Sequence, residues 1–199
     1  MVQNDNYLFA GLGNPGPEYE LTRHNIGFMV IDRLAERWDS PVRKHKYHAV
    51  YGLYNAEKFR AILIKPQTYM NRSGRAVKSF ANYYQIPESR ILVIFDDLDL
   101  PFGEIRIRKS GGSSGQKGME SIIQSLGTQN FPRMRVGIGR PPGKQDPADF
   151  ILDEFKQRER ESLDLLLDTC ADAILTYLSD GIDKVMTRYN HSIFENEKD

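Results

Sequence analysis

The sequence predicts a single α/β domain, a mostly parallel, mixed β-sheet flanked by helices. Three observations carry that expectation. Apolar segments of strand length alternate along the chain with helical patterns, as in sheets whose strands are joined by crossover helices. One segment, ILVIF at 91–95, is apolar throughout, as in a central strand covered on both faces. The chain has 199 residues, 40% hydrophobic and 27% charged, which suits one globular domain with its own core.

Strands are expected at 7–12, 49–54, 60–66, 91–97, 104–109 and 133–139. The segments at 49–54 and 60–66 follow each other too closely for a crossover, so antiparallel pairing is expected there. EIRIRK at 104–109 alternates and reads as half exposed. The first helix is expected over NIGFMVIDRLAERW, where Ile26, Met29, Val30, Leu34 and Trp38 fall near one face. Two more are expected over 73–85 and 114–127. The segment 156–181 spaces Leu163, Leu166, Leu167, Cys170, Ile174 and Leu178 at helical intervals and stops at Gly181. This helix is expected to pack on the sheet, with Cys170 a buried structural thiol. RPPGKQDPAD at 140–149 reads as a connecting loop, and 191–199 as a frayed tail. The domain is expected to span 1–199.

Composition narrows the function classes. No apolar run approaches the ~18 residues of a membrane span, and the start has no signal-peptide pattern. A cytoplasmic location without a membrane partner is therefore expected. A single cysteine allows no internal disulfide and fits a reducing compartment. The four histidines show no metal-ligand spacing with nearby carboxylates, so neither a metal nor another cofactor is expected. Net charge is zero, but residues 104–144 hold eight bases and two acids, a balance of +6. From 146 to the end, fourteen acids and six bases give −8. Such asymmetry suits a polyanion-binding face beside an acidic helical region, or simply solvated charge.

GLGNPG at 11–16 matches the glycine spacing of a dinucleotide site. That reading fails on its context. Pro15 and Pro17 flank Gly16, the helical pattern starts only near Arg23 or His24, and Asp32 lies in a helix rather than ending a second strand. No G-K-[ST] follows, which removes the P-loop. What remains is a tight turn that displays Asn14 at the carboxyl end of the sheet, where ligands of open α/β sheets gather. His24, in TRHN, falls where it can face the same crevice. Asp96 and Asp97 end the buried 91–97 strand, and alternation points them to opposite sides. Either one behind a histidine would fix its tautomer and suit it to act as a general base; both could equally cap turns. Asn71, in PQTYMNRSG, offers an amide at a strand-to-helix junction, or a helix cap.

Taken in order, GLGNPG-x-x-Y-x-x-TRHN-x-G, P-x-TYMN-x-SG, DDLDLP-x-G, KSGGSSG-x-x-G and RVGIGRP resemble the bacterial-type peptidyl-tRNA hydrolase family over about Tyr7–Asn190. The resemblance implies a twisted mixed sheet ringed by helices, of the phosphorylase/hydrolase-like kind. It implies hydrolysis of the ester joining a peptide to the terminal ribose of tRNA. His24 would activate water and Asp96, rather than Asp97, would orient it. Asn14 and Asn71 would hold the peptide or the oxyanion. Tyr19, Tyr69, Met70, Asn71 and Lys117 would meet the substrate. Arg106, Arg108, Lys109, Lys117 and Arg135 would meet the tRNA. The implied partner is peptidyl-tRNA, with no DNA partner, and the chain is expected to be a monomer. One departure stands out: where the family often reads G-G-H-N-G, this chain has Gln116 and Lys117. A charged lysine cannot accept a hydrogen bond, so any water-positioning role there is altered, while attraction for phosphate is kept. The rivals are a non-catalytic RNA-binding relative on the same fold and a hydrolase of small esters.

Overall fold

The computed structural model describes residues 5–194. Seven strands form one sheet: β1 (Asp5–Gly11), β2 (Lys44–Lys46), β3 (Ala49–Asn55), β4 (Phe59–Pro66), β5 (Ile91–Asp97), β6 (Ile105–Arg108) and β7 (Arg133–Gly137). Their order is β2-β3-β4-β1-β5-β7-β6. The central strands β4, β1, β5 and β7 run parallel. Both edges are antiparallel, β2–β3–β4 as expected over 49–66 and β6 on β7. The β6 pairing is a second antiparallel edge of the mixed sheet, at a place the sequence did not single out. The glycine-rich 109–116 segment carries the chain back along the sheet before the next helix starts, so β6 and β7 run in opposite directions.

The helices are α1 (Ile26–Arg37), α2 (Ser73–Tyr83), α3 (Lys117–Leu126), α4 (Pro147–Leu152), α5 (Gln157–Asp180) and α6 (Ile182–Tyr189). The two-residue alternation of the strands sorts the core into two layers. Phe9, Leu63, Leu92, Ile94 and Met134 pack against α1, α5 and α6. Leu8, Ala10, Leu12, Ile62, Val93 and Phe95 pack against α2 and α3. Cys170 is fully buried in the first layer, and burial pushes its thiol up. Two expectations change. The 140–149 loop gives way to α4, whose start is capped by Asp146 accepting from the Ala148 N–H (2.8 Å). Residues 191–194 are seated rather than frayed: the Ile193 N–H donates to Gly103 O (2.9 Å) and Phe194 stacks on Phe102. The rest of the expected tail, 195–199, lies outside the described residues. Among the described residues no helix is long and apolar enough to cross a membrane.

The glycines of the opening motif serve close packing. A Cβ on Gly11 would stand 2.1 Å from Gly27 O, and one on Gly27 would stand 2.4 Å from Leu12 N and 2.5 Å from Ile94 O. The first turn of α1 therefore sits directly on the backbones of β1 and β5, which only residues without a side chain permit.

Candidate active site

The carboxyl ends of β1, β4 and β5 converge on a cleft of about 550 Å³. His24 reaches it from a single 3₁₀ turn, Arg23–Asn25, ahead of α1. Three neighbouring contacts fix that turn. Arg23, almost fully buried, donates to Asp153 O (3.2 Å), Glu154 O (2.9 Å) and Glu159 Oε2 (2.7 Å), with its guanidinium over the Phe150 ring. Asn25 clasps the backbone of Asn14, accepting its N–H (2.7 Å) and donating to its C=O (2.9 Å). Gly27 makes the backbone contact described above.

His24 Nδ1 lies 2.8 Å from Asp96 Oδ2, and both side chains are buried. An ionised carboxylate only accepts, so against it Nδ1 is the donor, and in the neutral ring that leaves the Nε2 lone pair free. Asp96 shares its strand face with Leu92 and Ile94, toward α1. Asp97 points the other way, where its carboxylate is bound by Arg135 Nε and accepts from the Asp99 N–H (2.8 Å). The alternation expected of this pair holds.

Asn14 and Asn71 flank the histidine on the cleft wall. Asn14 Oδ1 accepts from the Met70 N–H (3.3 Å), which turns Nδ2 away from that contact as an unused donor. Asn71 lies just ahead of α2, exposed and without a hydrogen bond among the described residues. Met70 is buried beneath the cleft, and Tyr69 stands at its rim, 71% exposed. Beside Asp96 and Met70, Gln116 caps α3 and Lys117 opens it, with no ion pair to Lys117 among the described residues. Ile151 and Leu152 of α4 supply an apolar wall. A cleft with a histidine–carboxylate pair on one side, two amide groups beside it and an apolar flank opposite can bind an acyl group and deliver water to its carbonyl.

A model of the peptidyl-tRNA hydrolase family matches residues 8–198. The chain belongs to that family. The peptidyl-tRNA hydrolase of Chloroflexus aurantiacus is 49% identical over 185 residues, covering 92% of this chain and 98% of that one. That of Frankia casuarinae is 45% identical over 184 residues, covering 92% and 93%. The crystal structure of peptidyl-tRNA hydrolase from Acinetobacter baumannii superimposes with a TM-score of 0.87 at 33% identity, covering 96% of this chain and 98% of that chain.

Not every residue named from the sequence reaches the cleft of this family member. Tyr19 lines a shallower neighbouring depression, bounded by Pro15, Gln67, Tyr69 and Arg72. Arg106 and Arg108 lie on the edge strand β6, opposite Arg135 and Arg133 of β7. The four arginines thus share one face. Arg106 is held by Glu104 and Arg135 by Asp97. Arg133 is buried without a carboxylate. Its guanidinium donates to the carbonyls of Gly111, Gly112, Gln129 and Phe131, and desolvation lowers its pKa to about 10. Lys109 belongs to the opposite face and pairs with Asp183 of α6. Arg108 and Lys117 are the exposed cations of the sequence-named tRNA set that have no carboxylate partner among the described residues. Sequence reading missed the Asn25 clasp, the Arg23 anchor and the α4 wall. For α4 a signal was present: Asp146 followed by Pro147 is a helix start.

Proposed function

We propose that this chain hydrolyses the ester of peptidyl-tRNA with His24 as general base. The contact of His24 with Asp96 at the wall of an acyl-sized cleft carries the reading. Water held against Nε2 gives up a proton as its oxygen attacks the ester carbonyl. Asp96 stabilises the imidazolium that forms. The oxyanion of the tetrahedral intermediate accepts from Asn14 Nδ2 and the Asn71 amide. On collapse the bond to the ribose oxygen breaks, and the imidazolium returns its proton to that oxygen. Peptide acid and free tRNA leave. No protein nucleophile takes part.

Selectivity for a blocked amino acid follows from the same walls. The peptide amide finds uncharged donors and acceptors beside apolar surface, whereas a free α-ammonium would be desolvated where the nearby carboxylates are already engaged by His24, Arg135 and Arg140. The tRNA is held through phosphates by Arg108 and Lys117, with the remaining β6–β7 arginines giving a positive background. The Gln116–Lys117 loop thus keeps a cation where phosphate approaches. The test compares N-acetyl-aminoacyl-tRNA with unblocked aminoacyl-tRNA in wild type and His24→Ala. Cleavage of the blocked substrate alone, lost in the variant, is expected. A folded wild type that binds tRNA and cleaves neither would leave the RNA-binding alternative.

A further inference from the structure

Gln116 caps α3 at the wall of the cleft. We infer that it is a positioning residue that holds Asp96, and through Asp96 the base, in working geometry. The inference rests on the proposed reaction and on a count of hydrogen-bonding capacity. The Gln116 side chain offers two N–H donors and one carbonyl oxygen. Oε1 accepts from the Met119 N–H at 2.7 Å, capping α3. That fixes the amide orientation, because an amide nitrogen cannot accept from Met119. Nε2 then lies 3.2 Å from Asp96 Oδ1 and 3.2 Å from Met70 Sδ. Both N–H donors are used, the oxygen already accepts one bond, and the residue is only 8% exposed. No donor is left over for substrate, so the amide works through Asp96 and Met70.

Its place makes it a junction. Asp96 uses Oδ2 for His24 and Oδ1 for Gln116, so the carboxylate is held at both oxygens and its plane is set. Met70, the other partner, donates its own N–H to Asn14 Oδ1. One amide therefore ties the arm that carries the base to the arm that carries the carbonyl-holding asparagine. Packing supports the tie. A Cβ on Gly118 would lie 2.4 Å from Met70 Sδ and 3.0 Å from Gln116 Oε1, so glycine there lets the first turn of α3 close on this cluster without displacing either side chain.

The discriminating variant is Gln116→Glu. It keeps side-chain length and a capping oxygen for Met119, which also suits a helix N-terminus, but it replaces the donor to Asp96 by a second negative charge. The other charged or titratable groups around His24 are few. Lys117 comes from α3, and Asp99, Arg140 and Tyr69 come from the loops. Asp97 lies on the far side of β5 bound to Arg135, and Arg23 is bound to Glu159; α4 presents only apolar groups to the cleft. The added charge favours the imidazolium. The acid limb of the kcat–pH profile is therefore expected at higher pH, with kcat down at least about tenfold, KM nearly unchanged and a lower melting temperature from the paired buried carboxylates. Gln116→Leu removes cap and donor together and is expected to lower both kcat and melting temperature. The pH midpoint of the His24 ring, followed by NMR without substrate, reads the same coupling and stands even if the proposed reaction fails. An upward shift in Gln116→Glu supports the inference. A wild-type kcat profile together with an unmoved His24 midpoint would overturn it and leave Gln116 a helix cap.

Discussion

At the end of β5, Asp96 faces α1 and Asp97 faces the arginines of β7 and β6. The two are adjacent and almost equally buried, at 5% and 4% exposed. Asp96 is met by an imidazole and an amide; Asp97 is met by a guanidinium and a backbone N–H. Arginine stays charged at any working pH, so Arg135 offers Asp97 a fixed cation and ties β7 to β5. Histidine gains and loses a proton within the working range, so the Asp96–His24 pair can take part in a reaction. Burial alone does not separate the acid proposed to serve the base from its neighbour; the partner's chemistry does.

The comparison breaks first at the chemistry. His24→Ala and Asp96→Asn are each expected to lower kcat/KM for N-acetyl-aminoacyl-tRNA by about 10²–10⁴-fold. Asp97→Asn, assayed below its melting temperature, is expected to stay within a fewfold of wild type. Equal losses on both sides of the strand would erase the distinction. Stability should show the reverse order. Arg135→Gln leaves the Asp97 carboxylate buried without its cation and is expected to cost about 3 kcal/mol in urea unfolding. The double variant Asp97→Asn/Arg135→Gln should recover part of that loss.

A smaller effect sharpens the reading of the arginine face. Arg108→Ala is expected to weaken tRNA binding and to reduce the slope of log K against log salt by about one, the signature of one lost phosphate contact. Lys109→Ala, on the other face and paired with Asp183, should leave that slope alone. The smallest effect lies far from the site, where Arg33 and Arg37 of α1 meet Asp164, Asp168 and Asp172 of α5. The hydrogen bond from Arg33 holds Asp168 below its usual 3.8. A depressed acid contributes stability above its unfolded pKa and loses it as pH falls through the lowered value. Asp168 is half-buried at the surface and open to solvent screening, so Asp168→Asn should cost at most about 1 kcal/mol near neutrality, fading at low pH and in high salt.

The sheet was legible in the sequence because its central strands are unbroken apolar runs that end in polar motifs. The candidate site was legible because the motifs at those ends carry Asn14, His24, Asn71 and Asp96, which line one cleft. Alternation narrowed the acid to Asp96 or Asp97; which of them meets His24 depends on where α1 lands, and that is set by the Gly27 contact. The same alternation, carried one residue further, places Lys109 away from Arg106 and Arg108. Gln116 was hidden for another reason: its partners lie 20 and 46 residues away, and only the position of the α3 cap brings them together.

The contact between His24 and Asp96 spans 72 residues of chain. The base and its asparagine clasp form within the first strand–helix unit, while the acid arrives only when β5 pairs alongside β1. Such a distant closure comes late, since long loops must be drawn in before their contacts reward the chain. Recovery of hydrolysis during refolding thus times the insertion of β5 into the sheet, and lags behind the return of helical signal.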